Sequence, residues 1–142
     1  MVDTIAVALI AIFVALSLIH FFWALGGTSG KVTALPEVSG HPAFRPSTAS
    51  TVIVAVGLAL CAVLVAATAN LLGAPFSTAW LKWLSFALAV ALFARAIGDF
   101  RLVGFFKRVR GTRFAHLDTI LFSPLCLVLG AGVFYVAYSR NT

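Results

Sequence analysis

The chain has 142 residues, 62% of them hydrophobic and only 10% charged, with a mean hydropathy of +1.10. Soluble domains are about 45–50% apolar and about 25% charged, so this composition excludes a water-soluble globular fold and indicates an integral membrane protein. Ten Lys and Arg against four Asp and Glu give a net charge of +6, but a polynucleotide binder needs its basic residues on a soluble surface that such a chain hardly has, and no nucleic-acid partner is expected.

The first apolar run covers residues 5–25. It is too long for the core of a signal peptide, and Met1-Val2-Asp3-Thr4 holds an acid and no base, so the segment is expected to be a retained helix. Gly26-Gly27 ends it. The connection that follows, with Pro36, Pro42 and Pro46, is too long for a minimal helical hairpin and is expected to pack over the end of the bundle or dip back into it. Gly26-Gly27-Thr28-Ser29-Gly30-Lys31-Val32 fails as a phosphate loop, because Leu25 stands where Gly is needed and Val32 where Ser or Thr is needed.

Pro46-Ser47 introduces the second run, residues 48–72, and Gly73-Ala74-Pro75 closes it. The third run, residues 80–97, takes Ser77 as its candidate cap. Residues 98–116 interleave Arg101, Lys107, Arg108, Arg110 and Arg113 with Phe100, Phe105, Phe106 and Phe114, the composition of an amphipathic segment lying in the membrane interface on anionic headgroups. The fourth run, residues 117–138, is interrupted by Ser123-Pro124, where proline removes a backbone donor and kinks a helix.

Each run has the length that crosses a hydrocarbon core. No run alternates with period two, and a lipid-exposed open strand would leave its backbone unpaired, so all four are predicted helices. The expected fold is all-α: one membrane domain, residues 1–142, forming a four-transmembrane-helix bundle. Small residues at helical spacing are expected to let the helices approach closely: Ala87, Ala91, Ala94 and Gly98 on the third, Ala55, Gly57, Ala59, Cys61, Ala62 and Ala66 on the second, Gly130 and Gly132 on the fourth. Cys61 and Cys126 lie inside apolar runs and read as packed small hydrophobes.

Orientation follows from basic residues near the span ends. Lys31, Arg45, Arg95, Arg101, Lys107, Arg108, Arg110 and Arg113 fall on one side; Lys82 and Arg140 fall on the other. The first and third connections are therefore expected in the cytoplasm and both termini outside. Phe76, Trp80, Trp83, Tyr135 and Tyr138 mark the outer boundary, and Phe21, Phe22, Trp23, Phe100, Phe105 and Phe106 the inner one.

This topology brings His20, Arg95, Asp99, His116 and Asp118 to one level. Arg95 and Asp99 stand i,i+4 and can pair along a helical face, or Asp118 can accept from Arg95 or His20. The cluster reads either as a structural clamp between helices one, three and four, or as a small-ligand or proton-handling site in which His20 titrates and Asp118 orients it. No metal-ligand spacing, haem pair, GxSxG turn or catalytic triad is present, so no cofactor and no catalytic residue is expected.

His20-Phe21-Phe22-Trp23-Ala24-Leu25-Gly26-Gly27, Arg95-Ala96-Ile97-Gly98-Asp99-Phe100, Val103-Gly104-Phe105, Phe114-Ala115-His116-Leu117-Asp118-Thr119 and Ser123-Pro124-Leu125-Cys126 together carry a resemblance. On them, the chain resembles an uncharacterised bacterial family of small four-helix integral membrane proteins defined only as a domain of unknown function. The resemblance implies four spans and the bacterial cytoplasmic membrane, and no activity. It adds Trp23 to the His, Arg and Asp positions of the polar cluster. Without catalytic motifs, the expected role is an accessory, assembly or stabilising component of a larger membrane complex, or a homo-oligomer. The alternative is a small-molecule or lipid binding or transport module using the polar cluster, with a membrane-embedded enzyme third.

Overall fold

The computed structural model describes residues 1–73 and 78–140. In chain order these form α1 (Val2–Ala24), a 3-10 turn (Val32–Ala34), the two-residue strands β1 (Glu37–Val38) and β2 (His41–Pro42), α2 (Thr48–Thr68), α3 (Thr78–Ile97), α4 (Arg113–Leu117), a π turn (Asp118–Phe122) and α5 (Ser123–Ser139). The last three run on as one span, Arg113–Ser139, so the described residues hold four helices long and apolar enough to cross a membrane. Phe76, Ser77, Ala74 and Pro75, invoked above for an aromatic belt, a cap and a helix stop, lie outside the described residues.

The boundaries depart from the hydropathy reading where polar chemistry overrides it. Helix α2 stops at Thr68, not Leu72, although the apolar run continues. Asn70 takes a left-handed backbone (φ 59°), a conformation short polar side chains tolerate, and Leu71 N–H turns back onto Ala66 O at 2.9 Å. The fourth helix begins earlier than expected, at Arg113, because Thr112 caps it: its Oγ1 accepts from Ala115 N–H at 3.0 Å. Around the expected kink the helix widens instead. Ser123 N–H donates to Asp118 O, an i→i−5 bond, in the turn that precedes Pro124.

Burial follows helical spacing. Helix α1 buries Ala6, Leu9, Phe13 and Ser17; α2 buries Thr51, Ala55, Ala62, Val65 and Ala66; α5 buries Leu129, Gly130, Val133, Val136 and Ala137. Helix α1 packs chiefly on α2 and α3 chiefly on α5, and α1 against α5 joins the two pairs. Gly132 faces the Leu9 side chain so closely that an added Cβ would stand 2.9 Å from it, and Gly130 abuts Phe93. Two buried hydrogen bonds add polar contacts: Ser17 Oγ donates to Ala55 O at 2.7 Å, and the Thr68 and Ser85 hydroxyls meet at 2.8 Å. Val7, Val14, Leu18, Ile53, Leu60, Val90, Val128 and Phe134 face outward around the bundle, an apolar surface suited to hydrocarbon and not to water.

One small-residue face lies elsewhere than expected. Helix α3 turns Ser85, Ala89 and Ala96 inward, and Ala87, Ala91 and Ala94 are exposed. Two polar residues on α3 are bonded to neighbouring helices and fix its rotation: Ser85 to Thr68 on α2, and Arg95 to Asp118 on the fourth span.

Arg140 pairs with Asp3 at the end where the chain begins and finishes. The opposite end carries the first and third connections, with the 3-10 turn and β1 packed on α4. The first connection therefore lies over that end of the bundle, as its length suggested.

Candidate functional site

The site is built where α3 stops. Gly98 and Gly104 have left-handed backbones (φ 97° and 88°) and lie face to face: a Cβ on Gly98 would sit 1.8 Å from Val103 O, and one on Gly104 would sit 2.3 Å from Gly98 Cα. Only glycine permits that approach. The chain between them closes on itself, and Asp99 Oδ1 accepts the backbone N–H groups of Arg101 (2.9 Å), Leu102 (2.7 Å) and Val103 (3.0 Å). These donors, Val103 N–H foremost, hold the exposed Asp99 carboxyl below the ordinary aspartate range. Phe105 N–H then returns to Ala96 O at 2.9 Å, satisfying a carbonyl that the end of α3 leaves open.

This folding aims Gly104 N–H at the start of the fourth span, where it meets Asp118. The Asp118 side chain is 0% exposed. Its Oδ1 accepts from Arg95 Nη2 at 2.8 Å, and its Oδ2 accepts from Gly104 N–H at 2.7 Å and Lys107 Nζ at 3.0 Å. Lys107, itself 3% exposed, spends its other ammonium protons on Gly104 O (2.9 Å) and Thr119 Oγ1 (2.7 Å). The carboxylate thus ties α3, the third connection and the fourth span through charge-assisted bonds, the stronger class of hydrogen bond. Arg95 Nη1 and Ser123 Oγ are buried without a hydrogen-bond partner.

The residues singled out from sequence divide into four groups. Arg95 and Asp118 come together. Asp99 does not pair with Arg95, because α3 ends at Ile97 and the residue after Gly98 leaves the helical face; its carboxylate caps its own loop. His20 and Trp23 form a separate pair on α1, with ring centroids 4.9 Å apart. His20 Nδ1 donates to Leu16 O at 2.8 Å, and Trp23 Nε1 donates to Ser29 O at 2.8 Å, pinning the first connection. Among the described residues no hydrogen bond or ion pair links His20 to Arg95, Asp99, His116 or Asp118. His116 is exposed.

The third connection departs from expectation at one basic residue. Residues 98–112 form an irregular loop with Phe100 and Phe106 exposed. Arg101, Arg108, Arg110 and Arg113 are exposed, but Lys107 is withdrawn from any headgroup contact by Asp118. Lys107, Gly104 and Thr119 are the site residues that sequence reasoning missed. The available signal was Asp118 itself: a lone acid at the mouth of an apolar span requires a cation, and Lys107 is among the nearest in sequence. Among the described residues no group of three or more His, Cys, Asp or Glu could hold a metal ion.

A family model matches residues 13–133, which takes in the α3 end, the glycine-braced loop, Lys107 and Asp118. The chain belongs to the DUF3995 family. That family is described as proteins of unknown function, so membership of DUF3995 assigns no chemistry. No curated protein and no solved structure matches the chain.

Proposed function

We propose that this DUF3995 protein is a non-catalytic component of the bacterial cytoplasmic membrane that assists the assembly or stability of a larger complex. The observation that carries this reading is the state of Asp118: it is wholly buried, both oxygens accept from donors of its own chain, and its lysine partner has no proton left for a substrate. A carboxylate so engaged and sealed from solvent holds helices together; a proton-handling or ligand-binding acid needs an oxygen that solvent or ligand can reach. The separation of His20 from this cluster removes the titrating partner on which a proton-handling site would rest.

Two further features support the reading. The exposed Ala87, Ala91 and Ala94 leave one face of α3 open to close approach by another apolar helix. The exposed Arg101, Arg108, Arg110 and Arg113 suit the first and third connections to the anionic, cytoplasmic leaflet, with both termini outside. Native mass spectrometry of the protein extracted gently from its own membrane tests the proposal. A stoichiometric larger membrane subunit is the expected result. A monomer or homo-oligomer holding a defined small molecule in place of such a subunit would overturn it.

A further inference from the structure

Beside the ionic cluster lies a cleft of about 390 Å³, bounded by Lys107, Arg110, Thr112, His116, Thr119 and Ile120. A census of its polar groups shows what it can take. Asp118, the acid behind it, is fully buried with both oxygens occupied, and Asp99 turns its carboxylate onto its own loop. No carboxylate lines the cleft.

The free groups are donors. Arg110 uses Nε on Lys107 O at 3.3 Å, which leaves its terminal guanidinium nitrogens for a ligand. His116 offers a ring N–H in either protonation state and has no hydrogen-bond or ion-pair partner among the described residues. Thr112 accepts Ala115 N–H at 3.0 Å and keeps its hydroxyl proton. Thr119 and Lys107 have none to give, since Thr119 Oγ1 donates to Ala115 O and Lys107 is fully engaged. Lys107 still contributes charge: Arg95 and Lys107 together exceed the single carboxylate of Asp118 that they pair with, and Arg110 in the cleft wall adds to the positive surplus.

The apolar wall sets the rest of the chemistry. Ile120, which lines the cleft, is 58% exposed, and its neighbour Leu121 is 51% exposed, so an exposed apolar patch of the fourth span adjoins the cleft. We infer that this cleft binds a phosphate ester, its oxygens shared by the Arg110 fork, His116 N–H and Thr112 O–H, with any acyl chain laid along Ile120 and Leu121. A guanidinium fork matches phosphate geometry better than a point charge does, and the volume falls in the range of small-ligand sites, about 300–1,000 Å³. The inference goes beyond the accessory role and stands or falls apart from it.

The test is a titration of the purified full chain in mild detergent with dioleoylphosphatidylglycerol, read by native mass spectrometry. Wild type is expected to retain one lipid more tightly than the rest. Arg110→Gln combined with His116→Gln should weaken that site at least tenfold, and Arg110→Lys should weaken it in part, since charge remains and the fork is lost. Arg101→Gln combined with Arg108→Gln removes more charge from the same connection outside the cleft and should change the site less than twofold. All four positions are solvent-exposed, and an unshifted thermal unfolding curve confirms that each variant folds. An equal loss in the control pair, or no loss in the cleft pair, overturns the inference. Millimolar glycerol 1-phosphate added to the wild type separates the sources: displacement of the lipid assigns the site to the phosphate ester itself, soluble or lipid-borne, and retention assigns it to a headgroup anchored by its chains.

Discussion

Asp118→Asn removes the charge at the centre of the cluster and keeps its shape. Lys107 would then hold an ammonium that is 3% exposed without a counter-ion, with only Gly104 O and Thr119 Oγ1 as acceptors. Removing one member of a buried ion pair costs about 3–5 kcal/mol. Arg95 is 35% exposed on its side chain and can turn to water, and the Asn carbonyl still accepts one bond, so the expected loss is near the lower bound, about 3 kcal/mol. Lys107→Met leaves Asp118 with Arg95 and Gly104 N–H and should cost about 2 kcal/mol, the worth of a charged hydrogen bond. The double variant has neither the stranded ammonium nor the unmatched charge, so its loss should stay well below the sum, about 2–3 kcal/mol. Reversible unfolding by SDS in mixed micelles, followed by tryptophan fluorescence, reads all three. Asp118→Asn within about 1 kcal/mol of wild type, or an additive double variant, would refute the clamp.

Three other outcomes follow from the same geometry. Gly98→Ala should destabilise by about 2–4 kcal/mol in the same assay, because a Cβ there meets Val103 O at 1.8 Å on a left-handed backbone; a neutral variant would mean the loop does not close as described. Ser85→Ala should cost only about 0.6 kcal/mol, the average for an interhelical hydrogen bond in a membrane, although the bond to Thr68 is fully buried. The folded-state pKa of Asp99 lies below its unfolded value. Its contribution to the loop is therefore complete above the usual aspartate value of about 3.9 and is lost as pH falls through the lowered one. The amide resonances of Arg101, Leu102 and Val103 should titrate together with a midpoint below about 3.9; a midpoint at or above that value would contradict the capping.

What could be read from sequence was what hydropathy and charge control. Four runs of helix length were plain because each is a long apolar stretch bounded by polar or turn residues, and the basic residues of residues 98–116 marked one end of the bundle. Boundaries escaped where a single polar residue decided them: Asn70 cut α2 short inside an apolar run, and Thr112 started the fourth helix inside a basic one. The inward face of α3 escaped because small residues recur at helical spacing on more than one side of it, so Ala87, Ala91 and Ala94 looked as suitable as Ser85, Ala89 and Ala96. Lys107 escaped for a different reason. Its burial depends on the Gly98–Gly104 contact, a meeting of two backbone segments that no periodicity encodes. Arg95 and Asp118 were legible as one of two pairings, and the end of α3 at Ile97 selected between them.

The claim at the centre of this account is that the cluster holds the fold and performs no chemistry. The most direct measurement carries the Lys107→Met and Asp118→Asn pair in the cell's own copy of the chain, extracts it gently, and reads its complexes by native mass spectrometry beside wild type. The account predicts a folded variant carrying the same larger subunit at the same stoichiometry. A variant that melts cooperatively as a folded protein but has lost that subunit would contradict it.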